Sequence, residues 1–93
     1  MVFSETTLKD RVAIITGGGR GIGRGSAIEF AKVGAHLVLA GRTPEKLEEV
    51  AGAIRSLGRL ALPIVTDIRY PEQVDEMVKR AQEEFGRIDI LVN

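Results

Sequence analysis

The sequence predicts an α/β fold: a doubly wound parallel sheet, β-α-β-α-β-α-β in connectivity, with strand order 3-2-1-4. Three observations predict it. Apolar runs alternate with amphipathic stretches three times, and a fourth apolar run follows. The runs are continuous rather than alternating, as strands covered on both faces are. Each amphipathic stretch stops at a glycine, in turn Gly34, Gly58 and Gly86. Strand and helix in alternation build right-handed βαβ units, and those make a parallel sheet.

Val12–Thr16 is the first buried strand, ending in glycines. Residues 21–33 read as a helix with Ala27, Ile28, Phe30 and Ala31 on its inner side, and residues 37–40 as the second strand. Thr43-Pro44 marks a helix start, threonine as N-cap and proline at the first helical position. Leu47, Val50, Ala51, Ile54 and Leu57 follow at helical spacing. Residues 60–65 are the third strand; Pro63 inside it has no N–H to donate, which assigns it to a sheet edge. The order 3-2-1-4 puts it there. Pro71 opens a third helix with Val74, Met77, Val78, Ala81 and Phe85 in register. Ile88, Ile90, Leu91 and Val92 begin a fourth strand, and Asn93 is the last residue.

Composition narrows the function classes. The 93 residues make one small domain with a thin core. Lys+Arg and Asp+Glu are 13 each, so formal net charge is +0 and nothing favours nucleic acid or an anionic membrane as partner. There is no cysteine, which removes disulfides and thiolate metal sites and fits a cytoplasmic protein. The longest apolar run has about six residues, far below the roughly 20 of a membrane-spanning helix, and the N-terminus lacks the apolar core of a signal peptide.

The chemistry concentrates at Thr16-Gly17-Gly18-Gly19-Arg20-Gly21-Ile22-Gly23, directly after the first strand. A helix start presents unpaired N–H groups and partial positive charge, and glycines let an anion, most often a phosphate, come close. The ATP-type loop G-x-x-x-x-G-K-[ST] fails, because Arg24 and Gly25 follow Gly23. G-x-G-x-x-G fails on spacing. T-G-x-x-x-G-x-G fits, on Thr16, Gly17, Gly21 and Gly23.

With these residues the sequence resembles the short-chain dehydrogenase/reductase family in its single-domain, Rossmann-type form. The resemblance spans the chain. Lys9-Asp10-Arg11-Val12-Ala13 is similar to the family's lead-in to its first strand, and residues 16–23 to its cofactor loop. Asp67-Ile68 is similar to the Asp-Val/Leu pair after the third strand. Residues 86–93, Gly-Arg-Ile-Asp-Ile-Leu-Val-Asn, resemble its run into an Asn-Asn-Ala-Gly motif. The resemblance implies a nicotinamide dinucleotide as cofactor. Gly17 would turn the chain off the strand, Gly21 and Gly23 would admit the pyrophosphate and allow close helix packing, and Ile22 would offer a backbone N–H. Asp67 would face the adenine and Asn93 would hold the strand end beside the cofactor.

Units that bind NAD usually place an acid about 20 residues past the glycines, for the ribose 2′-OH. Gly41 stands there, and Arg42 follows. A guanidinium suits a 2′-phosphate in charge and geometry, and Arg20 in the loop could join it. NADP(H) is therefore favoured over NAD(H). Arg24 and Arg11 read as solvated.

The family's reaction is hydride transfer between nicotinamide and a ketone or secondary alcohol, through a tyrosine in Tyr-x-x-x-Lys with a serine and an asparagine. Tyr70, the one tyrosine, has Val74 four residues on and reads as structural. His36, at the start of the second strand, is far from the strand ends where such sheets bind ligands. Catalytic residues in 1–93: none; metal ligands: none. The expectation is an N-terminal part of an NADP(H)-dependent oxidoreductase, 3-oxoacyl-reductase-like or sugar/polyol-dehydrogenase-like, homo-oligomeric at full length and inactive as residues 1–93 alone, which lack the catalytic half. The alternative is a stand-alone, non-catalytic dinucleotide-binding module.

Overall fold

A computed structural model describes residues 7–93 apart from Gly18, Arg20 and the side chain of Ile22. The elements run β1 (Val12–Thr16), α1 (Gly21–Lys32), β2 (His36–Gly41), α2 (Pro44–Ser56), β3 (Ala61–Val65), α3 (Pro71–Phe85) and β4 (Ile90–Val92). All four strands are parallel, in the order β3-β2-β1-β4. The most buried strands, β1 and β2, occupy the centre, and Pro63 lies on the edge strand, opposite Leu39.

Alternate side chains of β1, β2 and β3 serve two cores. Ala13, Ile15, Leu37 and Leu39 face α1 and α2, where they meet Ala27, Ala31, Leu47, Val50, Ala51 and Ile54. Val12, Ile14, Val38, Ala40 and Ile64 face the other way and meet Met77 and Ala81 of α3. Burying each large aliphatic side chain contributes about 1.5–3 kcal/mol, so β1 and β2, which feed both layers, hold the domain together. Among the described residues no helix is long and apolar enough to cross a membrane.

The glycine stops act through conformation. Gly34, Gly58 and Gly86 all have positive φ, 106°, 81° and 73°, a region that residues with a Cβ adopt at a cost. Gly86 closes α3 by donating its N–H to the Gln82 carbonyl at 2.8 Å.

Three side chains depart from the spacing argument. Leu57 and Val78 stay 40% and 38% exposed, because each lies at the margin of its helix's apolar stripe: Leu57 is already the C-cap of α2. Leu60 lies just before β3 and is exposed. Thr43 and Tyr70 are N-caps by position only. Both are extended, and neither side chain bonds a helix N–H; Thr43 instead accepts the Leu47 N–H on its carbonyl at 3.2 Å.

Asp89 ties the last strand to the first. Its carboxylate accepts the Val12 N–H at 2.9 Å and a two-point contact from Arg87 at 2.8 Å on each oxygen, with Arg11 at 3.5 Å. The Arg87 side chain first, and the Val12 N–H next, hold the Asp89 carboxyl down at about 2. Its folded value lies below the ordinary 3.8, so its stabilisation is complete above about pH 4 and is lost as pH falls toward 2. Asp89→Asn is therefore expected to lower the urea midpoint at pH 7 and to flatten the loss of stability between about pH 4 and 2. Identical acid profiles for both chains would remove Asp89 from the set of groups that hold the fold.

Candidate cofactor crevice

The carboxyl ends of β1, β2 and β3 open onto a crevice of about 640 Å³. The size suits a small organic ligand. Its walls are three segments, one following each strand end.

Gly17 leaves β1 with φ +69° and donates its N–H to the Ala40 carbonyl at 2.8 Å. A Cβ on Gly17 would meet no atom within 4 Å. The backbone is bare on that side, and the conformation, not crowding, requires glycine. Gly21 begins α1 with φ +50°, again with open space where a Cβ would stand. Gly23 and the Ile22 backbone lie in the same first helical turn. Among the described residues Gly17 and Gly19 line the crevice, whereas Gly21 and Gly23 stand beyond its lining. Arg20 falls outside the described residues.

Gly19 has a different role that the motif does not record. A Cβ there would come within 3.0 Å of the Lys46 Cβ and 3.4 Å of the Leu47 N. The third glycine of the run thus lets the loop lie flat on the first turn of α2. The signal in sequence is only that three glycines are consecutive.

β2 ends at Gly41, and Arg42, Thr43, Lys46 and Leu47 form the next wall. Gly41 is held between sheet and helix: a Cβ would lie 3.1 Å from Cδ2 of the buried Leu47. A side chain at position 41 would press on that core leucine, whose methyl would have to shift slightly to admit it. Arg42, one step further, is exposed and lines the crevice. Lys46 brings a second cation, one that no sequence motif singles out.

The last wall is Thr66 to Arg69. Thr66 continues the β2–β3 ladder by donating its N–H to the Gly41 carbonyl at 2.7 Å, which sets the two strand ends side by side. Its buried hydroxyl donates to Ile64 O at 3.0 Å. Asp67 both lines the crevice and forms a turn. Its Oδ1 accepts the Arg69 N–H at 3.0 Å, and its two oxygens take the Arg69 guanidinium at 3.0 Å (Nε) and 2.6 Å (Nη2). These Arg69 contacts hold the Asp67 carboxyl at about 2, and Arg42 adds a smaller attraction. Asp67 also donates its own N–H to the Gln73 Oε1 at 2.8 Å. Arg69 in turn lies 5.9 Å from the Tyr70 ring centre.

Asn93 sits at the neighbouring strand end. Thr16 Oγ1 donates to Val92 O at 3.2 Å and comes within 3.5 Å of Asn93 Oδ1, so the first threonine of the glycine motif also pins β4 to β1. His36 is at the opposite end of the sheet. Its Nδ1 accepts the Leu60 N–H at 3.0 Å, and its ring stacks on Phe85 at 6.1 Å. Arg24 and Arg11, read as solvated, are exposed and paired, with Glu49 at 3.0 Å and Asp89 at 3.5 Å. Among the described residues no three His, Cys, Asp or Glu side chains are grouped to hold a metal.

A family model described as short chain dehydrogenase matches residues 11–93. The chain belongs to the short chain dehydrogenase family. Two relatives of the chain are an uncharacterized oxidoreductase of Mycobacterium tuberculosis, 42% identical over all 93 residues, and one of Staphylococcus aureus, 44% identical over 88 residues, 95% of the chain. Those matches take up 35% and 37% of the relatives, so the chain spans a little over a third of their length. Among solved structures it is similar to a citronellol catabolism dehydrogenase of Pseudomonas aeruginosa, with TM-score 0.94 and 43% identity over 99% of the chain and 38% of that protein. It is also similar to the apo-form glucose dehydrogenase of Caenorhabditis elegans, with TM-score 0.88 and 38% identity over 95% of the chain and 38% of that protein.

Proposed function

We propose that this short chain dehydrogenase sequence is the N-terminal, cofactor-binding part of a cytoplasmic NADP(H)-dependent oxidoreductase. The observation that supports it most is the charge in the crevice. Arg42 and Lys46 stand on one wall, and the carboxylate opposite, Asp67, already has Arg69 on both oxygens. That leaves net positive charge beside the end of β2, suited to a 2′-phosphate. The bare backbone at Gly17 and the start of α1 at Gly21 suit the pyrophosphate. Gly21, Ile22 and Gly23 would serve it through backbone N–H groups, Arg20 would add a cation, Asp67 would lie toward the adenine, and Asn93 with Thr16 would keep the strand ends together beside it.

The bound nicotinamide would supply hydride exchange with a ketone or secondary alcohol. Residues 1–93 would bind and orient it; the tyrosine–lysine pair that moves the proton would come from chain beyond Asn93. Relatives named for citronellol catabolism and for glucose fit a small alcohol or carbonyl substrate, of the kind that 3-oxoacyl reductases or sugar and polyol dehydrogenases take. Assembly into homo-oligomers would use later segments.

Calorimetric titration tests this directly. The chain is expected to bind 2′,5′-ADP about tenfold more tightly than 5′-ADP, one charge-assisted contact's worth. It is expected to turn over no ketone with NADPH. Equal affinities would overturn the preference for NADP(H), and measurable turnover would overturn the assignment of catalysis to residues outside 1–93.

A further inference from the structure

Among the described residues three cations and one carboxylate line the crevice, and the carboxylate is engaged. Asp67 accepts from Arg69 three ways: backbone N–H, Nε and Nη2. The Asp67 side chain is 16% exposed, whereas Arg69 is 68% exposed, so the arginine covers the acid from the solvent side. Arg42 is the nearest alternative partner by topology. Gly41 pairs with Val65 across the β2–β3 ladder, and the Thr66 N–H bonds the Gly41 carbonyl, so Arg42 and Asp67 leave adjacent strand ends into the same space.

Resting on the NADP(H) reading, we propose that Arg69 is a specificity-determining residue: by occupying both oxygens of Asp67, it keeps that carboxylate from capturing Arg42 and so leaves Arg42 for the ribose 2′-phosphate. The physical reason is competition. A two-point arginine–carboxylate contact is the strongest geometry available to the pair, and a third bond from the Arg69 backbone fixes the carboxylate's orientation. Without Arg69, an uncovered carboxylate faces Arg42 and also repels a phosphate placed between the walls. Specificity here comes partly from removing an unfavourable group, not only from adding a favourable one. Arg69 acts through Asp67 and needs no contact with the nucleotide.

The test compares 2′,5′-ADP with 5′-ADP by calorimetry. Both carry the same adenine, so any change at the base cancels in the affinity ratio. Arg69→Gln is expected to lower the ratio about tenfold, the loss of one charge-assisted contact. Asp67→Asn/Arg69→Gln is expected to restore it, because no carboxylate is left to capture Arg42. Asp67→Asn alone keeps an oxygen for the Arg69 N–H and is expected to hold or raise the ratio, a readout independent of how well Arg69→Gln folds. An unchanged ratio in Arg69→Gln, or a reduced ratio in Asp67→Asn, overturns the role of Arg69 while the nucleotide reading stands. Failure of the unsubstituted chain to bind either nucleotide overturns both.

Discussion

Arg42→Asp is expected to abolish the preference for a 2′-phosphate and to turn it toward the free 2′-hydroxyl. The change removes an attraction and adds a repulsion at one point on the crevice rim. The ratio of 2′,5′-ADP to 5′-ADP affinity should fall about a hundredfold, close to two charge-assisted contacts. Rising salt should shrink the difference, because the rim is exposed and screened. Position 42 is the place for the acid. At Gly41, where NAD-binding units usually carry it, a Cβ would lie 3.1 Å from the buried Leu47 Cδ2. Gly41→Asp should therefore cost stability as well as change charge, unless Leu47 is shortened too. A ratio in Arg42→Asp equal to that of the parent chain would remove Arg42 from the site.

Leu47→Ala is expected to have the largest effect on stability. Leu47 is 1% exposed, packs in the core between α2 and the sheet, and lines the crevice beneath Gly41. Truncating it removes a buried isobutyl group and leaves a cavity, at a cost of about 2–5 kcal/mol. A domain of this length has about 5–14 kcal/mol to lose. Urea unfolding should show the midpoint falling by about a seventh or more, and nucleotide binding should weaken for 2′,5′-ADP and 5′-ADP alike. That parallel loss separates it from Arg42→Asp, which acts on the ratio. A midpoint within error of the parent would mean that the crevice wall is not part of the core.

Most of the architecture was legible in the residues. Continuous runs such as Val12–Thr16 could be read as strands because a parallel strand with helices on both sides has no polar face to reveal. Pro63 located an edge, since a missing N–H is tolerated only where no ladder bond is required. Gly34, Gly58 and Gly86 marked helix ends because positive φ favours glycine. The margins were less legible. Leu57 and Val78 fit a helical period, yet period alone does not say how wide the covered stripe is; the neighbouring layer decides that.

The candidate site divides the same way. Gly17 and Arg42 could be picked out from local chemistry, and Asp67 from the family resemblance. Gly19, Lys46, Arg69 and Asp89 could not, because their roles are pairings across the fold. Gly19 matters only where the loop touches Lys46. Asp89 bonds Val12, 77 residues away in the chain. Arg69 reads as a surface arginine until Asp67, Arg42 and Lys46 are seen around one crevice.

The sequence by itself determined the order of elements, the strand order, the glycine-rich turn after β1 and the cationic residue after β2. All of these rest on local rules: periodicity, proline's missing donor, glycine's free φ, and charge. The tertiary structure alone decided which groups share the crevice, which of them are already engaged, and that an acid fits at position 42 but crowds Leu47 at position 41. Those outcomes depend on distances between segments far apart in the chain, and such distances are fixed only when helices pack on the sheet.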